Sequence, residues 1–111
     1  MTGNLGYFTL PVADLGKGKT FYSGLFGWRF APGEQYAHIE NVAPPGGLTQ
    51  AAGDRAQVWF TVADITLAVA RVRELGGHAD EPQQSDSGWG ADCRDDQGTH
   101  FSLWQPAAGY T

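Results

Sequence analysis

An internal repeat constrains the fold of this chain more than any other feature of the sequence. The string Val12-Ala13-Asp14-Leu15 returns as Val62-Ala63-Asp64-Ile65, and Leu25 and Gly27 return as Leu75 and Gly77, all with one constant offset of 50 residues. A shared register for several features is typical of a structural duplication, whereas chance matches would scatter in register. The chain is therefore predicted to contain two copies of one supersecondary unit.

Each copy is predicted to begin with a strand followed by a capped helix. The apolar run over residues 5–12 favours a strand, and Asp14 stands where a helix N-cap belongs. Phe21, Tyr22, Leu25 and Phe26 recur at helical spacing, and Gly27 then suits the left-handed residue that ends a helix. A helix from residue 15 or 16 to 26 follows, and its counterpart is predicted over 65–75.

The remaining strands complete two βαβββ modules. They are predicted over residues 28–31, 36–42 and 48–51 in the first half, and over 57–62, 79–84, 89–94 and 99–105 in the second. The connection over residues 52–55 is too short for a flexible linker between domains. We therefore expect one α+β domain over residues 1–111, with module one at about 4–52, module two at about 55–106, and a concave mixed sheet with the helices outside.

Composition excludes several classes of function. The formal net charge is -5 in 111 residues, which disfavours nucleic acid as a partner. No apolar run approaches the ~20 residues that span a bilayer, so we expect no membrane partner. The N-terminus lacks the pattern of a signal peptide, and the single cysteine, Cys93, allows no internal disulfide, so a cytoplasmic location is expected.

Strand alternation divides the side chains between two faces of the predicted sheet. One set is apolar and should pack under the helices: Phe8, Leu10, Val12, Val58, Phe60, Val62, Phe101 and Leu103. The opposite set mixes large aromatic rings with neutral polar groups, as the wall of a small-molecule pocket does. We predict ligand-binding residues within it: Tyr7, Thr9, Gln57, Trp59, His100, Ser102 and Trp104.

The paired modules and their motifs resemble the vicinal oxygen chelate superfamily of glyoxalase I, bleomycin-resistance proteins and extradiol dioxygenases. The motifs are F-T-L-P-V-A-D-L, F-Y-S-G-L-F-G-W and the closing D-D-Q-G-T-H-F-S-L-W-Q-P. In metal-dependent members, a His commonly stands on the first strand of each module, where this chain has Tyr7 and Gln57. A Glu commonly stands on the last strand, where this chain has Ser102. Since these groups are poor ligands for a divalent ion, the comparison implies a member without metal or other cofactor.

The resemblance implies a metal-independent protein that binds a small aromatic or conjugated ligand, with antibiotic sequestration as one form of that function. An alternative is a cofactor-independent isomerase or cyclase that uses His100 or Tyr7 for acid–base chemistry. A second alternative is a metal-dependent lyase or dioxygenase with non-standard ligands, for which His38, Glu40 and His100 are the candidate set. Trp89 is a further candidate for stacking on the ligand. Because a chain this short has sheet edges to protect, we also expect a homodimer.

Overall fold

The computed structural model describes residues 3–110, and these residues form two helices and eight strands. This α+β composition and the order of its elements confirm the predicted fold class. No helix within these residues is long and apolar enough to cross a membrane. The elements are β1 (Leu5–Val12), α1 (Leu15–Phe26), β2 (Tyr36–Ile39), β3 (Gly46–Gln50), β4 (Gln57–Thr61), α2 (Ile65–Glu74), β5 (His78–Ala79), β6 (Gln83–Ser85), β7 (Gly88–Arg94) and β8 (His100–Pro106).

The described residues divide into two compact units. The first unit is Tyr7–Gln57, and the second unit comprises residues 3–6 and 58–110. In the first unit the strand order is β2-β3-β1, with β2 antiparallel and β1 parallel to β3. In the second unit the order is β4-β8-β7-β5, with β4 parallel and β7 antiparallel to β8, and β6 pairs with β7.

Both helices begin at the predicted aspartates. The Asp14 carboxylate accepts a hydrogen bond from Lys17 N at 2.9 Å, and the Asp64 carboxylate accepts one from Leu67 N at 3.1 Å. Each contact satisfies a backbone N–H group that has no partner within the helix. The repeated aspartates therefore fix where both helices start.

The two helices end differently, which corrects one detail of the repeat. Gly27 ends α1 in the left-handed conformation, with a φ of 72°. The offset of 50 residues predicts Gly77 for the same role, but Gly76 is the left-handed residue, with a φ of 93°. Gly76 N and Gly77 N donate to Arg73 O and Val72 O, the pattern of a Schellman motif. In this motif the left-handed residue directly precedes the residue whose N–H donates to Val72 O, so it is Gly76 rather than Gly77.

Each helix packs on one face of its own unit's sheet. Leu15 of α1 is buried with Ala37 and Leu48, and Leu10 and Val12 pack against them. In the second unit, α2 and the strands share a core of Val62, Ile65, Val69, Leu103 and their neighbours, with Phe60 and Phe101 packed against it. The predicted helix-facing positions are thereby confirmed for Leu10, Val12, Phe60, Val62, Phe101 and Leu103. Side chains of opposite parity lie on the other face of each sheet, here called the helix-free face.

Two predicted strands are wrong in extent. The strand over residues 28–31 is reduced to one bridge between Phe30 and Ile39, because the Trp28 ring lies against α1, 5.2 Å from the Tyr22 ring centroid, and Arg29 N donates to the Asn41 side chain. The strand over 79–84 breaks into β5 and β6 on either side of Pro82, which has no N–H group to donate to a ladder.

The two caps can be compared by single substitutions. Asp14→Ala and Asp64→Ala should each lower the free energy of unfolding by about 1 kcal/mol, because each leaves a helix N–H without its partner. Urea unfolding followed by circular dichroism measures this change. The exposed Asp86 makes a matched control for loss of one negative charge. Equal stabilities for Asp14→Ala, Asp64→Ala and Asp86→Ala would contradict the capping role.

Candidate functional site

In the first unit, a tyrosine and a histidine form a pair on the helix-free face. The Tyr7 hydroxyl is hydrogen-bonded to His38 Nδ1 at 3.1 Å, and the two rings are stacked with centroids 6.0 Å apart. The register of β1, β3 and β2 puts Thr9 and His38 on either side of Gly47. The resemblance to the vicinal oxygen chelate superfamily implies a metal-binding His at the position of Tyr7. The Tyr7 hydroxyl is engaged by a residue whose role the sequence left open.

A groove of about 350 Å³ lies on this unit. Thr9 and Gln57, two of the predicted ligand-binding residues, line it. The other lining groups include Pro11, Thr49, Asp54 and Arg55. The sequence assigned Asp54 and Arg55 only to a connection between modules, because nothing in their spacing points to a site. The hydrogen-bonding groups that line this groove are neutral apart from this one acidic and basic pair.

In the second unit, three side chains lie in one row across neighbouring strands. Trp59 of β4 lies beside Ser102 of β8, and Asp92 of β7 lies on the other side of Ser102. Ser102 is fully buried, and its hydroxyl donates to the Asp92 carboxylate at 2.9 Å. No motif in the sequence assigns Asp92 to a site. The predicted strands do not give Ser102 as its partner, because their ends pair Arg94 with Thr99, whereas the structure pairs Arg94 with His100.

Trp104, the next predicted residue along β8, is held in one orientation. Its indole Nε1 donates to Ser87 O at 3.0 Å. Its ring lies against Gly6, where a Cβ atom would come within 3.0 Å of the indole Cε3. Trp104 also lies opposite Gly90 of β7. The ring is therefore a fixed wall on the helix-free face.

His100 and Trp89, two further candidates for ligand binding, lie on different faces of the sheet by strand parity. His100 has the expected parity and lies opposite Arg94 at the exposed end of the β7–β8 hairpin. Trp89 lies opposite Gln105 and shares its parity with the core residue Ala91. Since strand parity assigns Trp89 to the helix-facing side, it does not join Trp59 and Trp104.

The residues that the family resemblance places at metal-ligand positions, Tyr7, Gln57 and Ser102, are each poor ligands for a divalent ion. They supply a phenol, an amide and a hydroxyl, and the phenol and the hydroxyl are hydrogen-bonded to His38 and Asp92. Within residues 3–110, no three His, Cys, Asp or Glu side chains come together to hold a metal, so the set of His38, Glu40 and His100 does not form such a group. A phenol, an amide and a hydroxyl provide neither the negative charge nor the imidazole nitrogen that offsets the dehydration of a divalent ion.

Cys93 is not a candidate nucleophile. Burial raises the pKa of its thiol to about 11, and the negative charges of Asp92 and Asp80 add to this effect. Because the thiolate is the reactive form, a thiol held protonated is inert at neutral pH. Cys93 instead packs in the core beneath α2.

A model of the glyoxalase-like domain matches residues 7–104. The chain belongs to the glyoxalase-like domain family. The resemblance to the vicinal oxygen chelate superfamily is thereby confirmed. No curated protein matches the chain.

Solved structures show the same fold in proteins of different activity. This glyoxalase-like domain is similar to a hypothetical protein from Bacillus halodurans C-125, with a TM-score of 0.78 and 15% identity over 98% of both chains. It is similar to homoprotocatechuate 2,3-dioxygenase from Brevibacterium fuscum, with a TM-score of 0.76 and 19% identity over 96% of this chain and 37% of that chain. It is also similar to Streptomyces coelicolor methylmalonyl-CoA epimerase, with a TM-score of 0.72 and 17% identity over 97% of this chain and 100% of that chain. Identities this low show a shared fold and leave the activity to the site.

Proposed function

We propose that this glyoxalase-like domain is a metal-independent protein that binds a small aromatic or conjugated molecule, with antibiotic sequestration as one form of that function. The observation that carries the proposal is the row of side chains in the second unit. Trp59 lies beside Ser102, and the rigid Trp104 follows on the same face of β8. Aromatic pairs contribute about 0.5–1.5 kcal/mol beyond the burial of their area. A flat ligand gains this energy from a ring that is already held in place.

Neutral hydrogen-bonding groups support the same function. Thr9 and Gln57 line the groove of the first unit, and Ser102 lies between Trp59 and Asp92 in the second. Small-molecule sites combine apolar walls with a few polar groups that fix orientation. The Thr9 hydroxyl and the Gln57 amide can hydrogen-bond to a ligand without carrying charge, whereas the Ser102 hydroxyl is buried and donates to Asp92.

Single tryptophan substitutions test the proposal. A thermal-shift screen of aromatic natural products should yield a ligand, and Trp59→Ala or Trp104→Ala should weaken its binding by about tenfold, or ~1.4 kcal/mol. Isothermal titration measures the dissociation constants. Trp89→Ala is the matched control, because this exposed ring lies on the opposite parity of β7 and should leave binding unchanged. Affinity that survives both Trp59→Ala and Trp104→Ala would contradict the proposal.

The Tyr7–His38 hydrogen bond favours a second candidate function. A phenol hydrogen-bonded to an imidazole is a chemically reasonable acid–base pair, so a cofactor-independent isomerase acting beside a carbonyl group is the alternative. Of the two acid–base candidates offered by the sequence, His100 and Tyr7, this pair supports Tyr7. Tyr7 would transfer the proton, and His38 would position the hydroxyl and exchange the proton with it.

Deuterium exchange distinguishes this enzyme from a binding protein. In D₂O, the protein should catalyse exchange at the carbon next to the carbonyl in at least one member of a panel of thioesters and 2-oxo acids, followed by NMR. Tyr7→Phe should reduce that rate by about 100-fold or more, the usual scale of general acid–base catalysis. His78→Gln is the control, because His78 is exposed and bonded to Asp80 elsewhere. Exchange that is absent throughout the panel, or unchanged in Tyr7→Phe, would count against the enzyme.

The homodimer expected from the short chain remains a proposal. Phe21, Leu25 and Phe26 of α1 are each more than half exposed and make an apolar surface available to a second copy. Burying such a surface between two copies would remove large side chains from water, which is the usual driving force of homodimers.

A further inference from the structure

We propose that the groove of the first unit binds a small molecule through one carboxylate group, which Arg55 and two threonine hydroxyls recognise. The groove has a volume of about 350 Å³, and Thr9, Pro11, Thr49 and Arg55 are among the residues that line it. All four belong to the unit Tyr7–Gln57. The inference goes beyond the proposed function, because it gives the groove a ligand that needs no contact with the row of side chains in the second unit.

Two neighbouring strands form the floor of the groove on the helix-free face. Pro11 of β1 lies beside Thr49 of β3, and Thr9 precedes Pro11 on the same face of β1. This parity is opposite to that of Leu10, which packs against the core beneath α1. Thr9 is buried and Thr49 is half-buried, whereas residues 51–55 are exposed. The groove therefore has a polar floor and an exposed rim.

The threonine hydroxyls of the floor can both donate to a ligand. No hydrogen bond within residues 3–110 uses the hydroxyl of Thr9 or Thr49. In the same part of the chain, no fully buried side-chain oxygen lacks a partner, so the Thr9 hydroxyl must reach solvent although the residue is only 7% exposed. The groove is the space that Thr9 lines. A hydroxyl placed in this way can donate to a carboxylate oxygen.

A third hydroxyl borders the floor. Tyr36 of β2 lies opposite Thr49, and its hydroxyl lies where a side chain at position 47 would be. Gly47 is the β3 partner of Thr9. Burial raises the pKa of Tyr36 to about 12, so its hydroxyl keeps the proton at neutral pH. Every hydroxyl in and beside the floor can therefore donate, which suits an anionic oxygen.

Arg55 supplies a positive charge at the rim. It is exposed, and none of the ion pairs formed within residues 3–110 involves it, including any with the adjacent Asp54. A guanidinium presents a planar fork of N–H groups that matches the two oxygens of a carboxylate. Asp54 also lines the groove and would repel a second anionic group, so a ligand with one carboxylate is favoured over a dianion.

The remainder of the ligand would lie against small apolar side chains. Pro11, Ala51 and Ala52 line the groove beside the polar groups. Small-molecule sites have volumes of about 300–1,000 Å³, and this groove lies near the lower limit. A single aliphatic ring that carries one carboxylate therefore suits both the volume and the lining.

Three cyclohexane probes of nearly equal size test the inference. They are the anionic cyclohexanecarboxylate, the neutral cyclohexanecarboxamide and cyclohexylmethylamine, which is cationic at neutral pH. Dissociation constants are measured by NMR titration, with the backbone amide signals of Gly53 and Arg55 as reporters. The carboxylate should bind at least about fivefold more tightly than either of the other probes. Because the net charge of -5 disfavours anions, such a preference would report local recognition. Equal affinities for the carboxylate and the carboxamide, or no binding of any probe, would overturn the inference.

Two substitutions separate the charge at the rim from the floor. Arg55→Gln should remove the preference for the carboxylate and leave the affinity for the carboxamide unchanged. Arg29→Gln is the matched control, because Arg29 is an exposed arginine of the same unit outside the groove lining, and it should retain the preference. Thr49→Val removes one hydroxyl with a side chain that suits a strand, and it should weaken the carboxylate about threefold or more. A preference that persists in Arg55→Gln, a preference that is lost in Arg29→Gln, or full affinity in Thr49→Val would each overturn the inference.

These outcomes are distinct from those that test the proposed function. The cyclohexane ring has no π system to stack on an indole. If the carboxylate binds as expected but Trp59→Ala and Trp104→Ala leave aromatic ligands unaffected, the carboxylate site stands and the proposed function fails. If aromatic ligands depend on both tryptophans but the carboxylate is not preferred, the proposed function stands and the carboxylate site fails.

Discussion

The same two hydrogen bonds, together called the clasp, occur at the start of each helix and hold that helix on one face of its sheet. Asp14 and Asp64 cap the third N–H of their helices, and a glutamine at the end of a strand binds the first. Gln50 Oε1 accepts from Leu15 N at 3.0 Å, and Gln105 Oε1 accepts from Ile65 N at 2.8 Å. Each clasp ties a helix N-terminus to the strand that closes its unit. Because each helix is held on one face of its sheet, the side chains on the helix-free face remain available to bind a ligand.

The fold could be predicted from local signals, and the missing parts depend on pairing between strands. The caps, the ends of β1 and the core parity of β4 and β8 follow from hydrophobic period and N-cap chemistry. The glutamine clasp could not be predicted, because Gln50 and Gln105 are 55 residues apart and fall outside the offset of 50. The strand predicted at Trp28 failed because its ring packs on α1, a tertiary contact that overrides β propensity.

The candidate site was also predicted only in part, because local signals do not show which residues pair across strands. Parity alone put Trp59, Ser102 and Trp104 on one face, and the strand register agrees. Asp92 was assigned no role and His38 was only a candidate metal ligand, because the role of each depends on a cross-strand partner, Ser102 and Tyr7 respectively. A sequence shows which side chains share a face, but their neighbours follow only once the register is known. The sequence shows the Tyr7 and Ser102 hydroxyls only as isolated groups, whereas the structure pairs them with His38 and Asp92 by hydrogen bonds.

The central claim is that the helix-free face of the second unit binds a planar ligand without a metal. The most direct test is a ¹H–¹⁵N spectrum of the EDTA-treated protein, titrated with 2-naphthylmethylamine while the four tryptophan indole signals are followed. We expect the Trp59 and Trp104 signals to shift and the Trp28 and Trp89 signals to stay in place. Shifts confined to Trp28 or Trp89, or binding that appears only after a divalent metal is restored, would contradict the account.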